Sequence, residues 1–325
     1  MPNPVAGDVH VNVPLTNISI AYVQSADVFI ADKVFPVVPV QRQSDRYYRY
    51  LKEDWLRAEA QLRAPSTPSA GGGWRLDNTQ TYFCDVYAIH KDIDDRIRPN
   101  QDPVINMDRD ATEWVTHQLL LKREVLWAQK YFRQGIWGLD RQGVAANPTG
   151  AQFVKFSDYT NSDPIRVVNE SVLAMARATG YKPNIMVLAP DVYVTLKDHP
   201  KILDRVKYTQ RGQITQDLLA ALFEVENLYI PWAVVNEAPE GAAEDTDLVF
   251  SGGMLLAYAA PRPSLMQPSA GYIFSWTGYL GAGAAGNRIK RFRMEELGSD
   301  RIEGEMAFDL KVVADDLGIF FYDVI

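Results

Sequence analysis

Between Asp110 and Phe132, apolar residues recur at three- and four-residue steps: Trp114, Leu121, Val125, Ala128 and Phe132. Asp110-Ala-Thr-Glu113 ahead of them has the form of a capping pair. The spacing predicts a helix over 110–134, stopped near Gly135 and roughly 36 Å long at 1.5 Å per residue. Lys122, Arg123, Lys130 and Arg133 lie towards its C-terminal end, where the helix dipole favours cations. A rod of that length is a spine on which the rest of the subunit must pack.

The chain ahead of the spine is β-prone and interrupted. Residues 1–40 hold five prolines, at positions 2, 4, 14, 36 and 39, around the short pieces VHVNVPL and VFPVVPV. Proline removes backbone donors, so an extended arm is expected there. Residues 41–90 place YYRYLKEDWLRAEAQLR and TYFCDVYAIH on either side of APSTPSAGGGW, a composition suited to a loop tip, and predict a long hairpin-like excursion. Beyond the spine, Asp163 as N-cap, Pro164 at the first position and Gly180 as the stop frame a second helix with Ile165, Val168, Val172 and Ala176 on one face. NIMVL (184–188) reads as a buried strand. A short helix follows from Ala189-Pro190-Asp191 through Lys197, another spans Thr215–Phe223, and a strand covers 226–235. After Asp245 the chain is strand-rich: DLVF, MLLAYAA and AGYIFSW precede a charged pair from Arg288 to Glu296 and Arg301 to Ala314. GIFFYDVI then places the last residues inside a sheet. The fold class is α+β with a mixed α/β unit in its middle, and no internal repeat is visible.

Composition narrows the function classes. Lys and Arg number 33 against 41 Asp and Glu, a net charge of −8 that disfavours a dedicated nucleic-acid binder. Arg42, Arg46, Arg49, Lys52, Arg57 and Arg63 are interleaved with acids, whereas Arg288, Lys290, Arg291 and Arg293 are not. Both stretches are read as solvated or subunit-pairing faces. The single cysteine, Cys84, excludes an intramolecular disulfide and a thiolate metal cage. No apolar run reaches the ~20 residues of a bilayer-spanning helix, and the opening residues lack the pattern of a secretory signal, so no membrane partner is expected. His10, His90, His117 and His199 lack metal-ligand spacing, and Asp92, Asp94 and Asp95 lack the glycine and distal glutamate of a calcium loop, so no metal or other cofactor is expected. There is no G-x-S-x-G elbow, and nucleophilic catalysis has no visible constellation. Gly281-Ala-Gly283-Ala-Ala-Gly286 matches G-x-G-x-x-G literally and is the basis of the alternative reading as a cytosolic nucleotide-binding α/β enzyme. RIKRFRMEE after it does not supply the helix that such a site needs.

The order of parts, together with ADKVFPVVPV (31–40), the run YAIHKDIDDRIRPNQDPVINMDRDATEWVTHQLLLKREVLWAQKYF (87–132) and the ending from Arg288, resembles the major capsid proteins of tailed bacteriophages. The resemblance covers nearly the whole chain and rests on architecture, not on a catalytic signature. It implies a phage major capsid fold: an N-terminal arm over 1–40, an extended loop over 41–90, a peripheral domain of 91–154 and 286–314 carrying the spine helix, and a central domain of 155–285 and 315–325. It implies a non-enzymatic subunit that assembles into pentamers and hexamers, as an icosahedral shell around double-stranded DNA held without sequence-specific binding. The implied location is the virion capsid, assembled in the cytoplasm of a host bacterium. The implied partners are copies of itself, a portal, a decoration protein and, because the chain starts almost directly with the arm, a separate scaffolding protein. A nanocompartment shell of the encapsulin kind is the alternative with the same fold. Within this reading Trp55, Trp74 and Tyr82 are expected to bury apolar area on neighbours. Arg46, Arg49, Lys52 and Arg57 are expected to pair with acids such as Glu295, Glu296, Asp300 and Glu303. Some relatives cross-link a loop lysine to a peripheral asparagine. Lys52 and Asn287 fall in the corresponding regions without the spacing of that motif.

Overall fold

The computed structural model describes residues 24–100, 106–206, 214–239, 241–263, 267–281 and 287–325. The spine is the helix Met107–Tyr131, 25 residues long. It begins three residues before the expected cap: the Asn106 side chain accepts the Arg109 N–H at 3.1 Å, while Asp108 and Asp110 occupy the first turn. Asparagine caps as well as aspartate does, and the two acids act on the dipole instead. The buried face also differs from the expected stripe. It carries Ala111, Val115, Leu119, Arg123, Glu124, Trp127 and Tyr131, while Trp114 is an exposed side chain. Two ionisable residues lie on the buried face, so hydrophobicity alone points to its neighbour.

Along the chain, β1 (Val37–Val40) precedes the excursion strands β2 (Ser44–Arg46), β3 (Arg49–Tyr50), β4 (Leu76–Asp77) and β5 (Thr81–Phe83), and then β6 (Asp85–Asp94). After the spine come β7 (Leu139–Val144), β8 (Gln152–Val154), β9 (Ile185–Leu188), β10 (Asn227–Tyr229), β11 (Val234–Asn236) and β12 (Thr246–Leu248). The last five are β13 (Met254–Ala257), β14 (Gly271–Trp276), β15 (Asn287–Met294), β16 (Ser299–Val312) and β17 (Gly318–Tyr322). They form two main sheets. In the first, β16 is the shared strand, antiparallel to β14, β15 and β6, and β1 is added parallel to β14. The second runs β10-β9-β13-β17-β7-β8 and mixes parallel with antiparallel pairs. The final apolar strand β17 is central there, between β13 and β7. The segment expected as one strand over 226–235 is two: β10 joins the second sheet, whereas β11 pairs with β12. Pro231 lies between them and has no N–H to continue a ladder.

Local punctuation explains the helices around the second sheet. Asp163 accepts the Arg166 N–H at 3.1 Å, Pro164 opens the helix Pro164–Thr179, and Gly180 closes it at φ +79°. Thr215 caps Gln216–Leu222. A further helix, Pro200–Val206, follows Pro190–Lys197 and lies beyond the expected stop at Lys197.

Residues 29–35, part of the segment read as an arm, insert into the core. Phe35 lies 4.8 Å from Tyr131 and 5.9 Å from Trp127, ring centre to ring centre. Trp137 donates its indole N–H to the Tyr131 carbonyl at 2.8 Å. A smaller apolar cluster of Tyr82, Cys84, Tyr272 and Phe274 seats the base of the excursion. The spine meets the first sheet at Gly304 of β16, where a Cβ would collide with Val115 and Leu119. Gly304→Val is expected to lower stability by roughly 3 kcal/mol through overpacking, read from the urea midpoint of the unassembled chain; an unchanged midpoint would show that the helix does not seat there. Cys84 is wholly buried, and burial, with Asp309 and Asp85 adding to it, pushes its thiol up to about 12. The native chain should therefore resist thiol reagents at pH 8 and react fully once denatured; rapid labelling of the native chain would contradict this placement.

Candidate assembly surface

The excursion is held as a two-step hairpin. Ser44–Arg46 pairs with Thr81–Phe83, and Arg49–Tyr50 pairs with Leu76–Asp77. At its base, Tyr82 stacks on Phe274 at 4.6 Å and 10°, and Asp309 of β16 accepts the Phe83 N–H at 2.8 Å. At its neck, Asp54 accepts both the backbone N–H and the Nε–H of Arg75, at 2.9 and 3.0 Å. These bonds hold the Asp54 carboxyl below its usual range. Ion pairs tether the near side to the turn before β17: Arg49 to Asp315 at 3.6 Å, and Lys52 to Asp316. A groove of about 620 Å³ lies between loop and body, lined by Tyr47, Tyr50, Trp55, Tyr181, Tyr272 and Val313 among others.

Past the neck the loop presents apolar side chains to solvent. Trp55 packs against Tyr50 and Trp74, at 5.9 and 5.8 Å, yet Trp55 is 50% and Trp74 65% exposed, and Leu62 is fully exposed. Tyr48, Leu56 and Leu76 are exposed on the same loop, and a group of exposed apolar side chains of this kind is characteristic of interaction surfaces. Tyr82, grouped with the two tryptophans on sequence grounds, lies elsewhere: only 6% of it is exposed, and its ring packs within its own chain.

The basic run of β15 has acids opposite it. Arg288 and Lys290 both reach Glu305, whose Oε2 lies 2.8 Å from the Lys290 Nζ; Tyr279 also donates to Glu305 at 2.8 Å. These donors hold Glu305 at about 2 despite its burial. Arg291 pairs with Asp300 at 3.0 Å and with Asp108 at 3.5 Å, and Arg293 pairs with Asp95. Arg98 bridges Asp108 and Asp300, and Arg301 pairs with Asp92 at 2.7 Å. The run read as lacking acids is thus paired across β16, β6 and the start of the spine, and it offers no continuous track for phosphates. Within one chain, the cations of 42–63 do not meet the acids of 295–303. Arg57 faces Glu59 at 3.5 Å, Arg46 is exposed, and Asp300 is taken by Arg98, Arg291 and Arg293. Glu295 contacts Arg293 at 3.8 Å, Glu296 is exposed, and Glu303 faces Lys290 and His90 across the ladders.

Two arrangements that could suggest chemistry have other roles. Residues 282–286 of the glycine loop lie outside the described residues; the segment after them is strand β15, not the helix that a dinucleotide site needs. Ser162 Oγ and His199 Nε2 stand 2.8 Å apart and are buried. The Lys201 N–H points at His199 Nδ1 at 3.3 Å, which leaves the ring proton on Nε2, donated to Ser162. Ser162 in turn donates its hydroxyl hydrogen bond to the Asp158 backbone carbonyl at 2.5 Å. The imidazole has no free lone pair towards the hydroxyl and is a packing group, with burial holding it below its ordinary value. Among the described residues no cluster of His, Cys, Asp and Glu could hold a metal ion; Asp92 and Asp95 face arginines. Lys52 is engaged by Asp316, and Asn287 accepts from Arg123.

No family model matches the chain. It is 27% identical over 271 residues, 79% of this chain and 81% of the relative, to the major capsid protein of Burkholderia phage BcepMu. It is also 27% identical over 318 residues, 96% of each chain, to the major capsid protein of Pseudomonas phage JBD67. Among solved structures, a phage-related protein from Bordetella bronchiseptica superposes with a TM-score of 0.67 at 22% identity, over 93% of this chain and 94% of that one. The capsid of cyanophage P-SCSP1u superposes with a TM-score of 0.62 at 11% identity, over 99% and 95%. The SrpI encapsulin of Synechococcus elongatus does so with a TM-score of 0.56 at 12% identity, over 100% and 96%. The chain thus shares its fold with phage capsid subunits and is similar, over 79% and 96% of its length, to two phage major capsid proteins.

Proposed function

We propose that this chain is the subunit of an icosahedral phage shell, assembling as pentamers and hexamers around double-stranded DNA. The observation that carries the reading is the projecting loop, with Trp55, Leu62 and Trp74 bare to solvent on an element braced by its own ion pairs. A neighbouring subunit is the surface that would cover them, and burying aromatic anchors is how such interfaces gain most of their energy. Residues 1–40 would act as an arm and 41–90 as the overlapping loop. The portions 91–154 and 286–314 would be peripheral, and 155–285 with 315–325 would surround the symmetry axes. The net charge of −8 and the paired cations of β15 suit a lining that does not grip its genome. A scaffolding protein, a portal and a decoration protein would complete assembly in the bacterial host. An encapsulin-like shell shares the fold and differs in cargo: nuclease-protected DNA within particles marks a capsid, and protein alone marks a compartment.

Substitution of Arg46, Arg49 and Arg57 together by Glu, or of Leu62 and Trp74 together by Ser, should abolish particles in producing cells. Each exposed site should change the stability of the unassembled chain by no more than about 1 kcal/mol. Gradient sedimentation of lysates reads the first effect and thermal unfolding the second; wild-type particle yield from both variants would overturn the loop's role.

A further inference from the structure

The spine carries two titratable side chains beneath residues 29–31. Glu124 is wholly buried. Its carboxylate accepts the Ile30 N–H at 3.1 and 3.0 Å and the Ala31 N–H at 2.9 Å, joining segments more than ninety residues apart. Two helical turns earlier, the Phe29 ring stands edge-on to His117, centres 5.9 Å apart at 67°. His117 Nε2 is buried without a hydrogen-bond partner among the described residues. Phe29, Ile30 and Ala31 are themselves buried against the helix. The other charged and titratable groups here are Arg123 on the helix, Asp32 and Lys33 on the segment, and Tyr229 of β10, whose hydroxyl donates to the Lys33 carbonyl at 3.2 Å.

We propose that residues 29–31 form a latch on the spine that Glu124 and His117 control in opposite senses, acidification closing it through Glu124 and opening it through His117. Peeling the segment away would return both side chains to water. Burial raises Glu124 from 4.5 to about 7, against the two backbone N–H groups that act the other way; Asp32 adds to the rise and Lys33 opposes it. The docked form therefore holds more protons between those values. The contribution of Glu124 to docking is fully present below 4.5 and is lost as the pH rises through 7. Burial lowers His117 below 6.5. Its contribution is present above 6.5 and is lost as the pH falls through the lowered value. Docking of the wild-type segment thus tightens as the pH falls towards 6.5, and the two slopes oppose each other below it.

The latch is a property of the single chain and is independent of shell assembly. Amide hydrogen exchange at Ile30 and Ala31, corrected for intrinsic rates and referenced to Leu255 in the second sheet, reads it between pH 8 and 5.5 in the full unassembled chain. With His117→Gln, protection should climb roughly thirtyfold over that range, from the linkage of a carboxyl moving between 7 and 4.5. With Glu124→Gln, protection should instead fall on acidification. Leu255 protection reports whether each variant remains folded, and either variant alone tests one arm of the pair. The same pH profile in the wild type and in a folded variant would overturn the proposal.

Discussion

Strand β16 is the constraint on which the rest of the molecule depends. Its residues bond to β6 along one edge and to β15 and then β14 along the other. Its Gly304 leaves room for Val115 and Leu119 of the spine. Because β14 also carries β1, and Phe274 of β14 seats Tyr82, the loop base, the segment before β1 and the helix are all referred to one strand. The second sheet joins through the aromatic cluster around Trp127, Phe132, Phe250 and Phe320. Close packing across these contacts transmits a displacement of the spine to both sheets.

Charge ties separate parts of this scaffold together. Asp300 faces Arg98, Arg291 and Arg293, and Glu305 faces Arg288 and Lys290; Arg291 also reaches Asp108 and Arg293 reaches Asp95, which ties the tip of the β15–β16 hairpin to the spine's first turn and to the residue after β6. The more exposed of these pairs, such as Arg291 with Asp108 and Arg293 with Asp95, are individually weak and sensitive to salt. Their value is positional, since they remove free cations from the hairpin and leave the apolar loop as the prominent unpartnered feature.

What could be read from sequence was local. Asp163, Pro164 and Gly180 act within four residues of their helix ends, so their roles were visible without any partner. The apolar run from Gly318 required burial wherever it lay, and it became a central strand. The spine was legible as a helix but not in its orientation, because Arg123 and Glu124 on the buried face make sense only once Asn287, Ile30 and Ala31 are known to lie against them. The cations of β15, read as a solvated or subunit-pairing face, find acids on the facing strand and, remotely, at Asp95 and Asp108, nearly two hundred residues away. For the loop, composition showed the excursion and its tip. Which aromatics would face outwards was not encoded locally, and Tyr82 turned inwards because Phe274 lies beneath it.

The central claim is that this chain is built to be completed by copies of itself. Sedimentation velocity of the purified wild-type chain over a concentration series, with a separately supplied scaffolding protein and with electron microscopy of the fastest fraction, tests it most directly. The account predicts discrete pentamers and hexamers or closed megadalton shells that grow with concentration. A compact monomer at every concentration, with and without scaffold, would contradict it.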